Sequence, residues 1–126
     1  MKYDHIVWDW NGTLLDDLWL CIDSINSVLK SRNMPLVNKK SYRSIFTFPV
    51  INYYGLLGFN FQHETFPILG FLHHYNDHFK KCRLHLNAQS VLENNNIKGL
   101  TQSILSAGKQ TSLSDWVKYH NIDHYF

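Results

Sequence analysis

The chain has 126 residues, enough for one domain with a real core, or for one domain carrying a small insertion. Hydrophobic residues make up 44% and charged residues 17%, which excludes a disordered chain. The formal charge is only +2 and the lysines and arginines are scattered, so nothing points to nucleic acid or an acidic membrane as partner.

Cys21 and Cys82 show no CxxC spacing. A reduced cytoplasmic protein is the simpler expectation and a single disulfide the lesser one. The N-terminus runs straight into a short apolar segment and lacks a signal-peptide core. No window approaches the length of a membrane span. Aromatic residues reach 15%, which predicts a core built from large rings, some of them covered by a partner.

Ile6-Val7-Trp8 predicts a short buried strand. It ends at Asp9-Trp10-Asn11-Gly12-Thr13, a run of turn formers. Asp16 or Asp17 then offers a helix N-cap. Leu18, Ile22, Ile25 and Leu29 recur at helical spacing, and Asn33 and Pro35 stop that helix. Residues 37 to 62 predict two short helices, with Pro49 placed to start one and Gly55 and Gly58 to end one. Phe66, Leu69, Leu72, Tyr75 and Phe79 predict a longer helix that begins near Pro67. Another helix is expected from about Ala88 to Asn95, with Val91 and Leu92 inward and Asn94-Asn95-Asn96 and Gly99 breaking it. Ser103-Ile104-Leu105-Ser106 predicts a second strand. Leu113, Trp116, Val117 and His120 define a last helix.

Two strands separated by a mainly helical stretch predict an α/β protein. The expected division is a core of residues 1–15 and 88–126 with a helical cap of residues 16–87.

A carboxylate at the C-terminal end of a strand stands where open α/β sheets bind their ligands. Asp9 has that place. Gly12 lets the backbone turn back, and amides beside it can hold an anion. Thr13 adds a hydroxyl. An aspartate so placed can attack phosphorus; taken alone, it can equally cap a turn.

The full string Ile6-Val7-Trp8-Asp9-Trp10-Asn11-Gly12-Thr13-Leu14 resembles the first motif of the haloacid dehalogenase superfamily, an apolar strand followed by Asp-x-Asp-Gly-Thr-Leu. Ser106, closing Ile104-Leu105, is similar to the second motif. Tyr42-Arg43, Phe48-Pro49-Val50, Tyr53-Tyr54 and Leu57-Gly58-Phe59 look like the helical cap of the phosphoglycolate-phosphatase-like branch. The resemblance implies a partial Rossmann-like core with an inserted cap. It implies a Mg²⁺-assisted hydrolase of a small phosphorylated metabolite, acting through an aspartyl-phosphate on Asp9. Phosphate would contact Trp10, Gly12, Thr13, Ser106 and Ala107, and Mg²⁺ would bind the Asp9 carboxylate and the Asn11 carbonyl. Lys109, three residues past Ser106, is a further candidate phosphate contact.

Two departures stand out. Asn11 replaces the aspartate that in the family gives a proton to the leaving oxygen and later activates water. An amide cannot exchange a proton in that way. The family's third-motif lysine and fourth-motif acidic pair have no counterpart before Phe126, so the chain reads as truncated. An incomplete sheet with an open edge favours self-association. The alternative reading is a phosphate-binding or assembly protein that has lost turnover. A dehalogenase is a weaker third, since that branch places other residues at position 11. The Asn11-Gly12 pair is also a site for deamidation.

His73, His74, Asp77 and His78 read as a solvated helix face, with a transition-metal pair of His74 and His78 as the alternative. Arg43 reads as a solvated arginine rather than an anion contact from the cap.

Overall fold

The computed structural model describes residues 2–47, 50–59, 68–106 and 110–126. The chain divides into two compact units, one of Met1–Asp17 with Cys82–Phe126 and the other of Leu18–Lys81.

In the first unit, β1 (His5–Trp8) pairs in parallel with a later strand, Thr101–Ile104. His5 stands beside Thr101 and Trp8 beside Ile104. A second, two-residue ribbon joins β2 (Leu15–Asp16) to β3 (Arg83–Leu84) in antiparallel register. This ribbon was not expected from sequence, since two residues carry no periodicity. It holds Asp16 in the first unit, whereas the expected boundary fell between 15 and 16. α5 (Ala88–Ile97) precedes β4 (Thr101–Ile104), and α6 (Gln110–Tyr119) follows it. A 3-10 turn, Asp123–Tyr125, ends the chain.

Helices of the second unit are α1 (Leu18–Ser31), α2 (Lys39–Ile45), α3 (Val50–Leu56) and α4 (Ile68–His78), the last running into a 3-10 turn, Phe79–Lys81. α1 packs on α4. Ile25, Val28, Leu29, Tyr53, Leu57 and Phe59 form the core here. Asn33 adopts φ 55°, the left-handed turn that ends α1. Asn38 and Ser41 form a reciprocal capping box at the start of α2. The Asn26 side chain bonds both the N–H and the carbonyl of Val37, which fixes the connection between α1 and α2.

Several expectations are corrected. β1 is not a buried strand: Val7 is 59% exposed. A parallel sheet is normally covered on both faces. Here Ile6 and Trp8 share a face with Gln102 and Ile104, which is the face α5 engages through Gln102; His5, Val7 and Thr101 point the other way and are exposed. β4 lies two residues earlier than expected, and Leu105 is 74% exposed beyond its end. In α1 the buried stripe is Leu20, Ser24, Ile25, Val28 and Leu29, so Leu18 and Ile22 sit at its margin. α5 continues through Asn94-Asn95-Asn96, because asparagine in a helix costs only tenths of a kcal/mol, about 0.7 at most. Of the two expected breakers it is Gly99, at φ 80°, that ends it. Val91 is exposed and only Leu92 of that pair is inward.

The two short helices after residue 37 and the last helix agree with expectation in kind. Pro49, Phe66 and Pro67 lie outside the described residues.

Candidate active site

Asp9 follows β1 directly. The Leu105 N–H donates to the Trp8 carbonyl at 2.8 Å, continuing the parallel ladder by one bond. Asp9 and the pair Leu105–Ser106 thus leave the sheet at the same, carboxyl end of two adjacent parallel strands. That end is where open α/β sheets present their ligand sites. Asp9 is exposed and Ser106 half-buried.

The loop after Asp9 closes on one residue. The Trp10 carbonyl accepts N–H groups from Thr13, Leu14 and Leu15 at 3.2, 3.1 and 3.1 Å. The Gly12 N–H donates to the Leu15 carbonyl at 3.0 Å. Gly12 has φ 75°, and a Cβ there would meet nothing within 4 Å. Backbone conformation, not crowding, is therefore what calls for glycine. The Asp9 carboxylate is fixed from both sides: Oδ1 accepts the Trp10 N–H at 2.9 Å, and Oδ2 accepts the Thr13 hydroxyl at a longer 3.4 Å.

The Asn11 side chain turns elsewhere. Its Nδ2 donates to Asp17 Oδ2 at 2.9 Å, and Asp17 is only 2% exposed. The Trp10 ring is fully buried, against Trp116 and His120 of the α6 region. Ala107 and Lys109, expected at the phosphate, lie outside the described residues.

As a site for a divalent cation, the loop offers hard oxygen donors. The bridge between Asn11 and Leu15 is made through the Trp10 carbonyl and the Gly12 N–H, so the Asn11 carbonyl takes no part in it. The Asn11 carbonyl and the Asp9 carboxylate are oxygen donors of the type Mg²⁺ takes alongside water and substrate phosphate. Among the described residues no group of three His, Cys, Asp or Glu side chains is placed to hold a metal.

The histidines of α4 are arranged locally: His74 and His78 stack at 4.4 Å, His78 Nδ1 contacts the His74 carbonyl at 2.8 Å, and His73 lies 3.3 Å from Asp77. Arg43 is exposed beside Lys39 and Lys40 on α2. A cavity of about 370 Å³ lies against β4 and α6, floored by Ile104, Leu113, Val117 and Phe126; Asp9 does not line it. Sequence reasoning passed over Asp17, Trp116 and His120 as parts of this site. Asp17 carried only a helix-cap signal, and the α6 pair carried only the i, i+4 spacing of a core face.

Residues 6–126 match the family described as haloacid dehalogenase-like hydrolase, and the chain belongs to that family. No curated protein matches significantly. Among solved structures, the chain is similar to a protein described as a predicted phosphoglycolate phosphatase from Haemophilus somnus, with TM-score 0.80 and 19% identity over 100% of this chain and 61% of the other. A haloacid dehalogenase-like family hydrolase from Streptococcus pneumoniae matches with TM-score 0.83 and 17% identity over 98% and 58%. Protein Tyrosine Kinase A of Mycobacterium tuberculosis matches with TM-score 0.81 and 15% identity over 98% and 57%. The chain thus spans about six tenths of the length of these structures. They share its fold, and their different names show that this fold alone does not fix an activity.

Among the described residues, no helix is long and apolar enough to cross a membrane.

Proposed function

We propose that this chain carries the phosphate-binding half of a phosphomonoester hydrolase for small phosphorylated metabolites, with Asp9 as nucleophile. The observation that carries this reading is the Asp9 carboxylate, held at the carboxyl end of β1 by the Trp10 amide and next to the end of β4, where Ser106 stands. An Asp9 oxygen forms a bond to phosphorus while the bond from phosphorus to the leaving oxygen breaks, giving an aspartyl-phosphate and an alkoxide. Ser106 would carry part of the charge of the phosphoryl oxygens, since the amides of Gly12, Thr13, Leu14 and Leu15 are already bonded within the loop. Mg²⁺, held by the Asp9 carboxylate and the Asn11 carbonyl, would neutralise part of that charge.

The proton for the leaving oxygen is the weak point. The Asn11 amide has none to give. Loss of a general acid or base typically costs about a hundred- to ten-thousand-fold in rate. The bond from Asn11 to Asp17 favours a second reading, a phosphate-binding or assembly protein with little turnover, because it commits position 11 to structure rather than to proton transfer.

The test is binding of beryllofluoride with Mg²⁺, followed by hydrolysis of p-nitrophenyl phosphate. Binding that disappears in Asp9→Asn supports the phosphate-facing role of Asp9. Slow turnover, also lost in that variant, supports the hydrolase. Binding with no turnover supports the second reading. If the unaltered chain binds neither beryllofluoride nor phosphate, both readings fall.

A further inference from the structure

Trp10 stands between Asp9 and Asn11, yet its side chain is directed into the first unit and is 0% exposed. The indole stacks on Trp116, with ring centroids 6.4 Å apart and planes 12° from parallel. The His120 ring lies against it at 6.0 Å and 59°. The indole Nε1 is buried with no hydrogen-bond partner. No polar contact therefore fixes this ring; ring packing does.

The main chain of the same residue organises the loop. Its N–H orients the Asp9 carboxylate, and its carbonyl gathers three N–H groups as the chain turns back. A buried ring that shifts carries its own backbone with it, since interiors are close-packed and transmit displacement. We propose that Trp116 and His120 are positioning residues for Asp9, acting through Trp10. They hold the ring, the ring holds the Trp10 peptide, and the peptide aims the carboxylate. α6, which supplies Trp116, begins four residues after Ser106 in the chain. This inference rests on the phosphate-facing role of Asp9 proposed above.

A ring that only filled the core would act on the whole unit. A positioning ring acts first on the loop. Amide hydrogen exchange on the full chain separates the two, because local opening is read segment by segment. In Trp116→Ala, exchange across residues 10–15 should rise by about tenfold or more while residues 101–104 stay near their original rate. Trp116→Phe, which keeps an aromatic face, should restore the slow rate. His120→Ala should show the same pattern to a smaller degree. The affinity for beryllofluoride with Mg²⁺ should fall by about tenfold in Trp116→Ala and recover in Trp116→Phe, as expected for a misplaced binding group.

Equal acceleration across the loop and β4, or an unchanged loop, overturns the proposal. A loosened loop that still binds beryllofluoride with unaltered affinity overturns it too. If Trp116→Ala does not fold, Trp116→Leu and His120→Ala carry the same comparison. Should the unaltered chain bind no beryllofluoride, the phosphate reading fails, and the exchange pattern still decides whether α6 holds the Trp10 peptide.

Discussion

The amide of Asn11 donates to the buried carboxylate of Asp17 at 2.9 Å, so position 11 is committed to a partner that wants a donor. This changes what a repair of the first motif requires. Asn11→Asp alone would bring two carboxylates into contact at a site where one is almost fully buried. Like charges so placed disfavour ionisation of both. The single substitution should lower the melting temperature at pH 8 and gain little turnover of p-nitrophenyl phosphate. Adding Asp17→Asn swaps donor and acceptor and keeps the hydrogen bond. The double variant should regain stability and exceed the single one in rate. A single variant as stable as the original at pH 8 would refute the coupling.

The same contact bears on deamidation at Asn11-Gly12. That reaction needs the Gly12 nitrogen to attack the Asn11 side-chain carbon. The Gly12 N–H is held by the Leu15 carbonyl, and the Asn11 amide by Asp17. Ageing the folded chain should leave its intact mass unchanged, while ageing in urea should add the one-dalton signature of an asparagine lost. Equal rates in both conditions would show that the loop opens freely.

Much of the site was legible because its residues are consecutive. Asp9 through Leu14 carry strand end, turn and hydroxyl in one string, and the Gly12 conformation follows from local sterics. The parallel partner of β1 was legible as an apolar run but misplaced by two residues, since Thr101 and Gln102 are polar and hide the strand's start. Gln102 is buried because both its amide oxygen and its amide nitrogen find partners, a tertiary fact no hydropathy pattern contains. The Asn11–Asp17 and Trp10–Trp116 relationships were not legible for a related reason. Each joins residues whose own local signals, a helix cap and a helical core face, were already explained. The exposed side of β1 ran against expectation because coverage on both faces depends on what surrounds the sheet, not on the strand itself.

Cys82 offers a check on the β2–β3 ribbon. Burial, with the Asp17 and Asp16 carboxylates nearby, pushes its thiol up to about 11. At pH 8 roughly one such thiol in a thousand is ionised, and the thiolate is the reactive form. Iodoacetamide should label Cys82 in the folded chain far more slowly than in urea. Comparable labelling in the two states would mean that the ribbon does not shield it.

His120 gives the fold a pH dependence of known sign. Burial lowers its pKa below the ordinary 6.5. Above that value both folded and unfolded chains hold the ring neutral, and its contribution is intact. As pH falls below 6.5 the unfolded chain takes up the proton first, so stability declines until the folded pKa is passed. The urea midpoint should therefore drop between neutral and mildly acid pH, and His120→Gln should flatten that drop. A slope unchanged in the variant would assign the effect to other groups.

Gln102 is where the sheet and α5 are joined, and its loss should cost more than that of any of its partners. Its Oε1 accepts the Trp8 Nε1–H at 2.9 Å and the Asn95 Nδ2–H at 3.1 Å, while its Nε2 donates to the Leu92 carbonyl at 3.0 Å. Gln102→Leu keeps the volume and leaves all these groups without their partner. A buried polar group left unpaired costs about 1–3 kcal/mol. Asn95 is only half-buried, so Asn95→Ala exposes little that water cannot satisfy and should cost less. Gln102→Glu keeps both acceptor bonds but removes the donor to Leu92, and should fall between them. The order of urea midpoints, Asn95→Ala above Gln102→Glu above Gln102→Leu, tests whether the network is satisfied as a unit. A leucine variant as stable as the original chain would mean that the network is open to water.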